Sequence, residues 1–500
     1  MKNSAYLSFF IIISFLAHCK SGDGENTEAS GGSSVSGTAQ WLQLPTPASG
    51  TITFSNVATD SSGNVYVVGT QTGTGAHQYA AGVTATGTAT GSNAVLVKYN
   101  SAGAAQWARS TTAGTGGSSF QGVAVDSSGN VFAVGSQSGN TSTSYAAGVT
   151  ATGTYNLGNN VVIVKYNSSG AAQWARTVTA GTNASSFTAA AADSTGNVYA
   201  VGSQSQNGVF TYAAGVSATG SASAATNAVI VKYDTNGTAQ WAKTVSAGNN
   251  NSVFNGVGVD SSGNAYVAGS QSTNASYTYD TGVTATGVSV SGLNLVVVKY
   301  NSAGTGQWAR VATAGSNQSN ANAIAVDSGG NSYVAGYQIG NTAFTYGVGV
   351  SATASASGAM NSLLVKYDNS GTAQWARTVT TGAFESRFFA VAIDGTGKIM
   401  AGGNKLSENS FAFGNGITVT GTSFNYNMTL VQYDSSGNAQ WGRSVTSGSN
   451  NSRINGIAAD SSGNIYGIGF QNGTGTYAYG SGISAAGPLS GDNALIVKYR

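Results

Sequence analysis

Seven tryptophans divide this chain into nearly equal lengths. Trp41, Trp107, Trp174, Trp241, Trp308, Trp375 and Trp441 are separated by 66, 67, 67, 67, 67 and 66 residues. A period held to within one residue means that every unit builds the same backbone. Three further markers keep the same phase. An Asp-Ser-Ser-Gly-Asn turn, in full or variant form, begins at Asp60, Asp126, Asp193, Asp260, Asp327, Asp394 and Asp460. A Val-Lys-Tyr or Val-Gln-Tyr ends at Tyr99, Tyr166, Tyr233, Tyr300, Tyr367, Tyr433 and Tyr499. An aromatic recurs at Tyr79, Tyr145, Tyr212, Tyr279, Tyr346, Phe413 and Tyr479.

Within a unit the pattern is all β. In the second unit, residues 122–125 and 131–135 are apolar runs joined by the Asp126 turn, where Gly129 accepts positive φ and Asp126 caps backbone amides. Residues 161–166 and 172–176 form a second pair, joined by a turn at 167–170. These runs predict four strands, A to D, linked by hairpin turns. Strands A, B and C are almost continuously apolar, which implies burial on both faces, as in a stack of sheets.

The order of markers predicts closure. No Val-Lys-Tyr precedes Trp41, and no Ala-Gln-Trp follows Tyr499. The segment near Trp41 therefore reads as a lone strand D that completes the blade beginning near Ile454. The expected fold is a single seven-bladed β-propeller of four-stranded blades over residues 38–500. Each unit carries roughly 20 residues more than the 40–45 of an ordinary blade, placed as a B–C extension.

The pattern Gly122-Val123-Ala124-Val125-Asp126-Ser127-Ser128-Gly129-Asn130 and the hairpin Val97-Lys98-Tyr99-Asn100-Ser101-Ala102-Gly103 resemble the SBBP-type β-propeller repeats of bacterial exported proteins. The resemblance covers about residues 38–500. It implies a propeller scaffold and carries no fixed activity.

Charged residues are 7% of the chain, against about 25% in an ordinary soluble protein, so the surface must be mostly Ser, Thr, Asn, Gly and backbone. A net charge of +2 leaves no electrostatic footprint for nucleic acid. Residues 1–18 read as a signal peptide: Lys2 is followed by an apolar stretch, residues 6–17, too short to span a bilayer. Cys19, the only cysteine, follows directly, as in a spirochaete-type lipobox, with His18 a departure from the usual small residue. Residues 19–37 read as a lipid-anchored flexible tether. The expected location is the outer membrane or cell surface, with periplasmic or secreted as the alternative.

Catalysis is disfavoured by inventory. After export His77 is the only histidine, on what reads as an exposed loop, and no spacing of His, Cys or acids matches a metal site. Each Asp turn reads as a hairpin cap rather than a calcium site. No cofactor is expected, and the propeller is expected to be a monomer. Lys98 and Arg109, Lys165 and Arg176, Lys232 and Lys243, Lys299 and Arg310, and Lys366 and Arg377 recur in pairs on strands C and D. They are expected to lean on the turn aspartates, with an anion-binding band as the alternative.

Two features are candidates for binding a glycan or protein. The aromatics Tyr79, Tyr145, Tyr212, Tyr279, Tyr346, Phe413 and Tyr479 either form an adhesive crown on the loop face or pin each extension to its own blade. Blade six departs from the repeat, with Glu385, Arg387 and Lys405 where the others carry Ser, Asn, Gln or Gly. The leading expectation is a non-enzymatic binding or adhesion scaffold at the cell envelope. The rivals are a propeller enzyme with a central-channel site, disfavoured because strand A reads as apolar, and a purely structural envelope protein.

Overall fold

The computed structural model describes residues 37–500. The segment containing Cys19, the signal peptide and nearly all of the tether lies outside the described residues.

Seven four-stranded antiparallel sheets form the blades. Blades one to six span residues 52–110, 118–176, 185–244, 252–311, 319–378 and 386–443. Blade seven is built from 452–499 and Ala39–Gln43. In blade two, strands A to D are Ser118–Val125, Val131–Ser138, Asn159–Tyr166 and Ala172–Arg176. The B–C extension, expected only as extra length, is a further two-stranded hairpin, here Ser142–Ala146 with Val149–Thr152. Every blade carries one, and in blade six it shrinks to Phe411–Ala412 and Thr418–Val419.

Closure occurs as the markers predict. Ala39–Gln43 pairs antiparallel with Asp492–Tyr499, placing Trp41 opposite Lys498 and Gln43 opposite Ile496. Gly37 and Thr38 bond to the Arg500 carbonyl, and Arg500 N–H returns a bond to Thr38 at 3.0 Å. Blade seven meets blade one through Thr59 Oγ1 donating to Ala459 O at 3.0 Å and Asn455 Nδ2 donating to Phe54 O at 3.0 Å.

The core is divided among the seams. Each of the seven apolar clusters draws on two neighbouring blades; Phe54, Tyr79 and Val95 of blade one, for example, pack with Ala458, Tyr466 and Ile468 of blade seven. Strands B and C supply both faces of this packing, which explains their unbroken apolar runs.

The tryptophans seal these seams. Trp174 Nε1 donates to Thr235 O, in the C–D turn of the next blade, at 3.1 Å. Its ring lies over Gly237 of that turn, where a Cβ would come within 2.8 Å and φ is +78°, so the turn needs glycine twice over. Lys165 Nζ reaches the same Thr235 carbonyl at 3.0 Å, and Arg176 bonds Gly237 O and Asn236 O at 3.0 and 2.9 Å. The basic pairs therefore lean on backbone carbonyls of the neighbouring blade, not on the turn aspartates. The Arg176 guanidinium also covers the Trp174 ring, 5.3 Å from its centroid. These engaged cations do not form an open anion-binding band. Lys243, which pairs with Asp280 at 3.2 Å, is the exception among the D-strand cations.

The turn aspartates cap their hairpins. Asp60 Oδ1 accepts from Ser62 N and Asn64 N at 3.0 and 2.9 Å, and Oδ2 accepts from Asn64 Nδ2 at 2.8 Å. In Asp193, burial would raise the carboxyl pKa, but the Asn197 and Thr195 donors outweigh it and hold the group below its ordinary value.

Candidate functional site

The recurring aromatics lie inside the molecule. Tyr79, Tyr145, Tyr212, Tyr279, Tyr346, Phe413 and Tyr479 are all buried. In every blade except six the aromatic is the extra residue of a β-bulge in the first hairpin strand, and the bulge turns its ring into the seam. Tyr279 OH donates to Gln271 Oε1 at 3.0 Å, and Gln271 Nε2 donates to Ala285 O at 3.1 Å. The same tyrosine–glutamine pair recurs in six blades. Each hairpin also bridges to the connection leaving the preceding blade, as between Ala113 and Ser144. Blades radiating from an axis diverge with radius, and the hairpins fill the gap at the rim. The aromatic crown is thus corrected to a ring of wedges.

His77 is likewise buried, not exposed on a loop. It occupies the hairpin position of Tyr277 and Tyr477. Its Nε2 faces Thr72 O at 3.0 Å, as Tyr277 OH faces Ser272 O at 3.1 Å. Nδ1 is buried with no partner among the described residues, and burial holds the imidazole pKa below its ordinary value. The unfolded chain therefore takes up a proton more readily than the folded one. Stability contributed by neutral His77 is complete above about pH 6.5 and declines as pH falls below it. Urea titrations between pH 7 and 5 should show this decline, and His77→Tyr, which restores the form seen in blades four and seven, should flatten it.

The channel along the axis is more polar than the strand A sequence implies. Each strand A carries a β-bulge, and the extra residue faces the axis: Ser55, Gln121, Thr188, Asn255, Asn322, Phe389 and Asn455. Asn255 Nδ2, Asn322 Nδ2 and Thr188 Oγ1 each donate to a carbonyl of the next blade at 2.7–2.8 Å. This collar lines a mouth of about 380 Å³ on the face of the B–C and D–A connections. Below it lies a shaft of about 190 Å³ whose lining includes Val57, Val123, Val257 and Ile324.

Blades six and seven break the seven-fold pattern on this face. Phe389 replaces the polar bulge residue. Arg453 lies between the rings of Phe389 and Phe470, 5.0 and 5.1 Å from their centroids, and its Nε donates to Asn455 Oδ1 at 2.7 Å. Arg387 pairs with Glu385, to whose Oε1 its Nε donates at 2.7 Å and Tyr426 OH donates at 3.1 Å. Tyr337 lies against Arg387, 6.0 Å from the guanidinium. Phe424 and Phe384, next to this cluster in the chain, are 77% and 41% exposed. Arg453 at the channel mouth and Arg387, which acts on it electrostatically, thus form one sector, with the exposed phenylalanines one residue from Glu385 and two from Tyr426 along the chain. Glu385 and Arg387, two of the candidates named from the sequence, lie in this sector, and Arg453, Phe389 and Phe470 were not among those candidates.

Lys405 does not join this sector. It is fully buried, donates to Ser407 O and Asn409 O at 2.7 Å, and burial pushes its pKa down to about 8. It stands where six blades have the glutamine that accepts from tyrosine. An ammonium cannot accept that bond, and blade six has Phe413 in place of the tyrosine.

Neither a family model nor a curated protein matches the sequence. Solved structures match across most of the chain. The Dos1 propeller is 6% identical, with 92% of this chain and 95% of that one covered and a TM-score of 0.43. A chain of the mitotic checkpoint complex is 10% identical, with 97% and 98% covered and a TM-score of 0.44. The extracellular domain of a hybrid two component system from B. thetaiotaomicron is 10% identical, with 87% and 58% covered and a TM-score of 0.27. At these values the likenesses carry no functional argument, and the seven-bladed assignment rests on the strand order itself.

A second hollow of about 580 Å³ lies between blades one and two. Its one charged lining residue, Arg109, is already engaged by Gly170 O and Ser169 O at 2.7 and 3.2 Å.

Proposed function

We propose that this protein is an exported, non-enzymatic binding scaffold of the SBBP-repeat type, anchored to the cell envelope through a lipid on Cys19. It takes its partner at the blade-six sector and the channel mouth. The observation that carries the reading is the break in seven-fold symmetry at blades six and seven, where Arg453 lies at the mouth between Phe389 and Phe470, Arg387 pairs with Glu385, and Phe384 and Phe424 are exposed nearby in the chain, in a molecule whose other blades repeat one another. Aromatic and arginine side chains dominate recognition surfaces because they bring area and directed donors at low entropic cost. The rival, an enzyme of the central channel, gains little from the collar, whose hydroxyls and carboxamides do not titrate near neutral pH.

Binding of the full-length protein to glycan and matrix-protein arrays tests this reading. Phe424→Ser should weaken capture about tenfold or more while leaving the melting temperature unchanged, since the ring is exposed. Equal capture by the variant would place the partner elsewhere. Mass spectrometry of the membrane-extracted protein should find Cys19 acylated, and an unmodified thiol would remove the anchor.

A further inference from the structure

We infer that the channel mouth is a socket for a saccharide bearing one carboxylate, such as a hexuronic acid, with Arg453 as its anion contact. The inference rests on the binding role proposed above and names the ligand class.

Arg453 is a partly buried cation with no carboxylate in ion-pair distance among the described residues, whereas neighbouring Arg387 is neutralised by Glu385. The field of Asp492 reaches Arg453, but that carboxylate receives its bond from Asn472 Nδ2 at 2.8 Å. Phe389 and Phe470 cover the guanidinium, and Nε is held by Asn455 Oδ1, which leaves the terminal Nη groups as donors with no partner among the described residues. Withdrawing a cation from water without a counter-charge is unfavourable, and an incoming anion reverses that penalty. One guanidinium, with no second unpaired cation beside it among the described residues, suits a carboxylate better than a phosphate.

The rest of the wall selects a polyhydroxyl body. Ser55 Oγ, the Gln121 carboxamide and Asn255 Oδ1 face the mouth with no partner among the described residues. Neutral donors and acceptors spaced around a ring match sugar hydroxyls. The mouth, lined from all seven blades, encloses about 380 Å³, large enough for one or two sugar rings. An extended peptide would look instead for a groove or an open strand edge.

The test compares a hexuronic-acid disaccharide with its neutral methyl ester, titrated calorimetrically into the full-length protein. The acid should bind about tenfold or more tightly, as expected for a hydrogen-bonded charge pair. Arg453→Gln should erase that preference, whereas Lys398→Gln, which removes the same charge from an A–B turn on the opposite face, should keep it. The comparison on the unmodified protein stands even if Arg453→Gln folds poorly. Equal binding of acid and ester overturns the inference. So does tighter binding of inorganic phosphate or of a carboxylate-terminated peptide, and both outcomes leave the scaffold reading intact. Failure of every array ligand would instead remove the scaffold reading itself.

Discussion

Deleting residues 38–44 is expected to destabilise all seven blades together, not blade seven alone. The segment supplies the whole of the outer strand of blade seven, paired from Ala39 to Gln43 with the strand ending at Tyr499. It also carries Trp41, whose Nε1 donates to Ser101 O at 3.1 Å and whose ring covers Gly103 of blade one. Trp41 is partly buried, so its loss removes part of the ~3–5 kcal/mol that deleting a fully buried tryptophan costs, and the lost strand pairing adds to that, against a typical net stability of about 5–15 kcal/mol. The deletion also leaves Asp492–Tyr499 as a bare edge, open to pairing with other chains. A linear array would lose only its terminal unit, because each repeat leans on its neighbours alone. In a ring, opening one seam frees both flanking blades. Tryptophan fluorescence in urea should therefore show one transition moved to lower denaturant for the whole molecule. An unchanged midpoint, or loss of a single blade's worth of signal, would refute closure as the source of stability.

Substitutions at Tyr279 should have the next largest effect. The ring is 1% exposed, packs 5.8 Å from Phe254 and anchors Gln271. Tyr279→Ala should cost about 3–5 kcal/mol, from lost burial and from the cavity at the seam. Tyr279→Phe keeps the ring but leaves Gln271 Oε1 buried without its donor, a cost of about 1–3 kcal/mol. Combining Tyr279→Phe with Gln271→Leu should recover part of that loss, since both polar partners are then gone, and the departure from additivity measures the pair. Urea midpoints for the four proteins decide the matter. A Tyr279→Ala protein as stable as the parent, with reduced ligand capture, would return this aromatic to the surface role that its burial argues against.

The period, the strand count and the closing strand were legible because they depend on spacing, which a sequence displays directly. Bulges were not legible, because one extra residue reverses which side chains face inward. Asn255 and Asn322 follow an apolar residue and precede Gly256 and Ala323, so they read as interruptions of a buried run rather than as a collar. A signal existed in strand B. Gly269 and its six counterparts sit where a Cβ would come within 2.0 Å of a strand A carbonyl that the bulge displaces. The hairpin bulge concealed the tyrosine wedges in the same way. His77 was readable in principle, since it shares the phase of Tyr277 and Tyr477, but its Gly-Ala-His-Gln setting looked like a loop. The Arg453 cluster could not be read at all. Phe389 and Phe470 lie 64 and 17 residues from Arg453 along the chain, and only the fold brings them together.

The site where the ring is joined also fixes the face on which the described chain enters it. Gly37 lies against Trp441 and accepts from Arg443 Nε at 2.9 Å, as the C–D turn glycines do for the tryptophan and arginine of other blades. Those turns share one face with the aspartate hairpins, whereas the channel mouth and Phe424 occupy the other. Gly37, where the described chain begins, therefore lies on the turn face, and the socket opens on the opposite one.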